Sequence, residues 1–298
     1  MKIYRFIRSH IYLILIMGVA LFTHPLNGVE IQQLLNALHS DSSPFSYALD
    51  VKVYQGKTSN QGVILCCHGY GGDNSIAGII ASYKAVPDHL VGFNFPDFSI
   101  QSRNIIPDQI AYGTVNELLP AIYLLKKIVV DAQLEKVSLY GFSAGGAAVV
   151  NLIALLNTSQ DSQDFNSIGV TNEDVKKILA ALQKGIILLD APLKSVDEFI
   201  SSYPERLRSS MSTYFTGRYR NNGMDPIDSI SKWKGLNLSV VVFFQNPDET
   251  ISNRDDALFK QKLLKVNSQG RNLVLSGNEG GHLGFHWSLW KAFLDFLQ

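Results

Sequence analysis

The residues that could do chemistry come into view first at Lys136-Val-Ser-Leu-Tyr-Gly141-Phe142-Ser143-Ala144-Gly145-Gly146, a G-x-S-x-G pattern. A serine hydroxyl is a weak nucleophile until a neighbouring base takes its proton, so the pattern matters only where the chain exposes that hydroxyl. Here an apolar, strand-like run precedes the serine, and a small-residue, helix-like run, Ala147 to Leu156, follows it. Turning from strand to helix at one residue strains the backbone, and glycines at 141 and 145 remove side chains that would collide across the bend. The helix N-terminus behind Ser143 adds N–H groups and a positive dipole end where negative charge would develop on a substrate oxygen. A plainer reading makes Ser143 a helix cap between turn glycines. The strand before it and the helix after it favour an exposed nucleophile.

A second cluster, Cys67-His68-Gly69-Tyr70-Gly71-Gly72-Asp73, follows the apolar run Val63 to Cys67 and precedes a helical pattern. Glycines there let backbone amides turn into a cavity, and attack on a carbonyl needs two such donors for the oxyanion. The N–H groups of Tyr70 and Ala144 are the candidates. His68, at a strand end beside a glycine turn, reads as a brace for this loop rather than as a reacting group.

At these two motifs the chain resembles the α/β-hydrolase superfamily, whose members place an H-G-x-G-G type loop early, G-x-S-x-G centrally, then an acid, then a histidine. The resemblance runs from about Tyr47 to the C-terminus. It implies an α/β-hydrolase fold, with a mostly parallel sheet, helices on both faces and a small helical cap. For the base it implies His282, since Glu279-Gly280-Gly281-His282-Leu283-Gly284-Phe285 matches the family's G-G-H; His286, four residues on, is the rival and reads as packing or hydrogen-bonding at the rim. For the acid it implies Asp248, after the run Val240 to Phe244, although Asn246-Pro247 stands where relatives carry a glycine-bearing turn. Glu249 and the strand-ending Asp190 stay open as alternatives.

The implied activity is acyl transfer to water of a carboxylesterase or lipase-like kind, without a cofactor. Peptidase, amidase and thioesterase activities use the same three groups. A different class, an exported binding module with an idle site, would be marked by a missing member of the set, and none is missing.

These residues need elements to position them, and the apolar segments alternate between strand-like and helix-like stretches, an α/β pattern. Strands are expected at Tyr47 to Tyr54, Val63 to Cys67, Leu90 to Phe95, Lys136 to Tyr140, Gly185 to Leu189, Leu238 to Phe244 and Asn272 to Leu275. Helices are expected at Ser75 to Val86, Asp108 to Val130, Ala144 to Leu156, Asp174 to Gln183, Asp255 to Val266 and Phe285 to Phe296, with Pro120 kinking or dividing the second. Thr158 to Thr171 is polar and reads as a surface loop. Residues 194 to 235 carry Phe199, Tyr203, Tyr214, Phe215, Tyr219 and Trp233 without a strand pattern, and read as a cap-like insertion in a single domain from 29 to 298.

Composition narrows the partners. Twenty-six basic residues balance 26 acidic ones, and only 17% of residues are charged, so no long-range field draws nucleic acid or an anionic membrane surface. A small, mostly apolar acyl substrate fits this chain. The seven histidines include no H-E-x-x-H, no cysteine pair has zinc spacing and no G-x-x-x-x-G-K-[ST] loop occurs, so neither a metal nor a nucleotide is expected.

Lys2, Arg5 and Arg8 precede the apolar run Ile11 to Phe22, which is twelve residues long, against about 20 for a spanning helix. Residues 1–28 therefore read as a signal peptide cut after Gly28, which directs the chain to the periplasm or the medium; an uncleaved membrane anchor is the alternative. The two cysteines, Cys66 and Cys67, are adjacent and read as buried strand residues.

Overall fold

A computed structural model describes residues 29–39, 43–45, 47, 49–56, 62–70, 72–82, 86–95, 114–158, 163–220 and 222–297. The stretch read as a signal peptide lies outside these residues, as does the start of the expected helix from Asp108. Among the described residues no helix is long and apolar enough to cross a membrane.

Seven strands build one sheet: β1 (Val51–Tyr54), β2 (Val63–Cys67), β3 (His89–Phe93), β4 (Val137–Phe142), β5 (Ile186–Asp190), β6 (Ser239–Gln245) and β7 (Asn272–Gly277). Their spatial order is β1-β3-β2-β4-β5-β6-β7, and all pairings are parallel except that of β1 with β3. Every residue of β2, β3 and β5 is buried, as expected of apolar strands covered on both faces. Successive side chains point to opposite faces. Cys67 accordingly packs in the larger core and Cys66 in the smaller one across the sheet. Both thiols are free, and burial pushes both well above the ordinary thiol range.

The helices are α1 (Val29–His39), α2 (Ser75–Ser82), α3 (Val115–Lys126), α4 (Ala144–Thr158), α5 (Gln163–Ser167), α6 (Asn172–Lys184), α7 (Val196–Ser202), α8 (Glu205–Tyr219), α9 (Pro226–Ser229), α10 (Asp256–Val266) and α11 (Trp287–Leu297). Three differ from expectation. Pro120 does not divide α3, which runs through it as one helix; the irregularity comes later, as a π-helical turn over Lys127–Asp131. The stretch expected as a polar loop contains α5, whose Phe165 is buried and is followed by the buried Ile168 and Val170. These few apolar anchors were masked by their polar neighbours. Helix α1 was not anticipated; its Leu34 and Ala37 join the larger core.

The topology creates the functional edge. From β2 the chain moves outward to β3, then returns past β2 to β4 and continues in the opposite direction through β5, β6 and β7. The carboxyl ends of β2 and β4 therefore diverge from a switch point, where open α/β sheets form their crevices. Register makes the two ends level, with Cys67 opposite Gly141. The loop after β2 and the bend after β4 are thus forced together.

Residues 194–235 fold as α7, α8, α9 and a 3₁₀ turn over Ile230–Trp233. Trp233 is fully buried, and its indole N–H donates to the Val150 carbonyl of α4 at 3.0 Å. The insertion is thereby anchored to the helix behind Ser143. Trp233→Ala should cost about 3–5 kcal/mol of unfolding free energy, through the cavity left and the lost bond, as read from urea denaturation of the full chain.

Candidate active site

Ser143 sits between β4 and α4 with φ +54, a left-handed conformation that serine rarely adopts. Its N–H donates to the Asp190 carbonyl at 2.9 Å, and its own carbonyl accepts from Leu193 N–H at 3.0 Å and Gly146 N–H at 2.9 Å. The flanking glycines are obligatory: a Cβ on Gly141 would lie 2.5 Å from the Gly145 carbonyl oxygen, and one on Gly145 would lie 2.1 Å from that of Cys67. This close approach sets the α4 N-terminus against the end of β2. Ala144 is the first residue of α4, where a helix leaves N–H groups without intrahelical acceptors.

The structure brings together three residues from distant segments. His282 Nε2 lies 2.9 Å from Ser143 Oγ, and its Nδ1 lies 2.7 Å from Asp248 Oδ2. Asp248, in the loop after β6, also accepts from the backbone N–H groups of Thr250 at 2.8 Å and Ile251 at 2.7 Å. Burial would raise its carboxyl, but the bonds from His282, Ile251 and Thr250 together hold it below the ordinary value. Glu249 takes a different part: its carboxylate accepts the backbone N–H of His282 at 2.8 Å. Gly281 must be a glycine for that contact, since it has φ +79 and a Cβ would lie 2.7 Å from Glu249 Oε1.

The two other rivals pair with one another. His286 is not at the rim: it is fully buried, and its Nδ1 bonds to Asp190, the more distant alternative for the acid. Helix α11 begins one residue after His286, so burial of Trp290 and Phe293 drags the imidazole beneath the sheet end rather than outward.

His68 is buried and bonded at both ring nitrogens. Nε2 accepts from Phe95 N–H at 3.1 Å, which leaves Nδ1–H to donate to the Gly69 carbonyl at 2.9 Å. Burial lowers its imidazole to about 4, so it stays neutral. His68 thus ties the turn at Gly69 to Phe95, two residues beyond the end of β3. Tyr70 follows that turn, a Cβ on Gly69 would lie 3.2 Å from Ser143 Cβ, and Tyr70, Ser143 and Ala144 line one cavity.

These groups open on a cavity of about 250 Å³. Phe142, Leu193 and Ile251 line it from the sheet side, and Val196, Phe199 and Tyr203 from the insertion, while the half-exposed Tyr70 and the exposed Leu283 stand at its mouth. The side chains of residues 214 and 215, expected in a cap, lie outside the described set.

Sequence reasoning missed Lys194. It is buried at the base of α7, and its ammonium meets Glu198 at 3.3 Å, the Ser252 carbonyl at 3.2 Å and the Asp256 carboxylate. Asn253 extends the network, donating to Asp256 at 3.1 Å and to the Gln245 carbonyl at 2.8 Å, while its side-chain oxygen accepts from Asp248 N–H at 3.3 Å. One cation thereby links α7 to the loop that carries Asp248. Burial raises the Glu198 carboxyl to about 7, against the opposing pull of Lys194. The only signal in the sequence was a lysine four residues before a glutamate, which is common on any helix surface.

Neither a protein-family model nor a curated protein sequence matches this chain. Solved structures do. A carboxylesterase from Lactobacillus plantarum superposes with a TM-score of 0.55 at 15% identity, over 82% of this chain and 82% of that one. A thermophilic esterase from Thermogutta terrifontis, solved with butyrate bound, gives 0.53 at 13% identity over 84% and 89%. A protein of Mycobacterium tuberculosis described as a candidate non-heme bromoperoxidase gives 0.50 at 11% identity over 85% and 95%. The chain has the α/β-hydrolase fold. Because neighbours of such different description share it, chemistry has to be argued from the site.

Lys194→Met should leave the buried Glu198 and the half-buried Asp256 without their cation, at a cost of about 3–5 kcal/mol. Urea denaturation at neutral pH measures the loss.

Proposed function

We propose that this protein is a serine hydrolase that cleaves small, mostly apolar carboxylic esters through an acyl-enzyme. The observation that carries the reading is the chain of contacts from Ser143 Oγ through the two ring nitrogens of His282 to Asp248, at 2.9 and 2.7 Å, on a bend of positive φ beneath an apolar cavity. Strained backbone of this kind is retained where it aims a reacting group.

In this mechanism Ser143 Oγ attacks the ester carbonyl while His282 Nε2 takes its proton, and Asp248 holds the ring by accepting the Nδ1–H. The charge that develops on the carbonyl oxygen is met by the N–H groups of Tyr70 and Ala144. The imidazolium returns its proton to the alkoxide leaving group, and an acyl-serine remains. Water then attacks that ester, again giving its proton to His282, and the carboxylic acid is released as the Ser143 hydroxyl reforms.

The cavity supports a short acyl or alcohol group, because its volume of about 250 Å³ and its apolar walls suit a small apolar moiety. The basic start and apolar run of residues 2–22 support export, which fractionation and N-terminal sequencing of the mature protein would test.

The purified protein should hydrolyse p-nitrophenyl esters of short acids and be labelled by a fluorophosphonate. Ser143→Ala should lose roughly 10³-fold or more of kcat, together with all labelling. Failure of the parent protein in both assays removes the reading. Asp248→Asn should lower kcat by roughly 10⁴-fold, since the amide presents the wrong partner to the imidazole; an equal loss from Glu249→Gln would move the acid to position 249.

A further inference from the structure

The second histidine–carboxylate pair is not used by this mechanism, yet it touches both halves of it. Asp190 ends β5 and is buried. Its backbone carbonyl holds the Ser143 N–H at 2.9 Å. One carboxylate oxygen accepts the Tyr140 hydroxyl at 2.7 Å, and the other meets His286 Nδ1. The opposite ring nitrogen, His286 Nε2, lies 3.1 Å from the carbonyl oxygen of Gly281, the residue immediately before His282. We infer that Asp190 and His286 form a positioning pair, with His286 an imidazolium, that locks the loop carrying His282 to the bend carrying Ser143.

The charge follows from donor accounting. A carbonyl oxygen only accepts, so Nε2 must carry a hydrogen. Nδ1 then either donates to an ionised Asp190 or faces a protonated one. The Tyr140 hydroxyl bond favours the ionised carboxylate, and a charge-assisted N–H to carboxylate contact is the stronger of the two arrangements. The ring also stacks on Phe243 with centroids 4.4 Å apart and planes inclined by 23°, a suitable seat for a cation.

The ionisable groups facing this ring are Asp190 of β5, Tyr140 of β4 behind Asp190, and Glu279 of its own loop, while Cys66 of β2 faces Tyr140. Burial alone would lower the imidazole, but Asp190, the Gly281 carbonyl and Glu279 together raise it above its ordinary value. A raised folded value means that the stabilisation is complete below the unfolded imidazole's value of about 6.5 and is lost as pH rises through the folded one. Deprotonation removes one of the two N–H donors, so either the Asp190 bond or the Gly281 bond fails. The loop beside His282 is then released. This inference rests on His282 being the base, but its first test does not.

Long-range ¹H–¹⁵N spectra of the full chain should show both His286 ring nitrogens still protonated at about pH 6.5, where an unperturbed imidazole is half neutral. A bare nitrogen at that pH overturns the imidazolium, whatever the protein hydrolyses. In ester kinetics, His286→Phe should lower kcat about 10- to 100-fold with KM little changed, as misplaced reacting groups do. It should also abolish the alkaline fall in kcat that the parent shows as His286 loses its proton. A His286→Phe variant that keeps the parent kcat and the parent alkaline limb overturns the positioning role. If that variant does not fold, the ring-nitrogen measurement on the parent still decides. A parent protein inert to esters and to fluorophosphonate would instead overturn the proposed function and leave the ring-nitrogen result standing.

Discussion

The site depends on a backbone bend that serine would not choose. At φ +54 Ser143 occupies a region costing on the order of 1–3 kcal/mol for a residue with a side chain. Four backbone hydrogen bonds hold it there, from Ser143 to Asp190 and to Ser143 from Leu193, Gly146 and Ala147. Gly145, pressed against the end of β2, leaves no room for the bend to relax. The burial of α4 from Ala144 to Leu156 makes the arrangement durable, because straightening the bend would lift that apolar helix off the sheet. What the bend achieves is an aimed hydroxyl at the mouth of a crevice that the strand order had already opened.

Two histidine–carboxylate pairs lie within one loop of each other, and their surroundings set them apart. The Asp248 carboxylate takes two backbone N–H bonds besides its imidazole, and the far nitrogen of that imidazole meets a hydroxyl, which can accept a proton bond or give one up. The Asp190 carboxylate takes a tyrosine hydroxyl, and the far nitrogen of its imidazole meets a carbonyl, which can only accept. The first ring can therefore exchange a proton with its hydroxyl partner, whereas the second has to keep its Nε2–H to hold the Gly281 carbonyl. In the proposed mechanism the same two residue types would serve proton transfer in one place and geometry in the other, and the difference lies in the single atom at the far side of each ring.

The insertion is coupled to the rest through fixed points rather than laid loosely on top. Trp233 fastens it to α4, and Lys194 fastens α7 to the loop that carries Asp248. The wall of the cavity and the loop that carries Asp248 consequently share one buried cation. Buried ionic clusters of this sort stabilise little in total but penalise every arrangement in which a partner is lost. Their contribution is to specify one geometry.

Most of the sheet was legible in the sequence, because fully buried parallel strands appear as short apolar runs and their period does not depend on their neighbours. The bend at Ser143 was legible too, since only glycines tolerate contacts as close as those at 141 and 145. Helices α1 and α5 were not, because a few apolar residues among polar ones gain their meaning only from the surface they meet. The resemblance pointed to the G-G-H histidine and to Asp248, but between Asp248, Glu249 and Asp190 the chain itself could not choose. All three are carboxylates near strand ends, and which one reaches the imidazole depends on a few ångströms set by loop closure. What the sequence determined was the elements and the kinds of chemical group at their ends, which local residue preferences encode. Only the tertiary structure decided the partners, because the pairings of Asp248 with His282, Asp190 with His286 and Lys194 with Asp256 join segments far apart in the chain, through distances that exist only once the sheet is assembled.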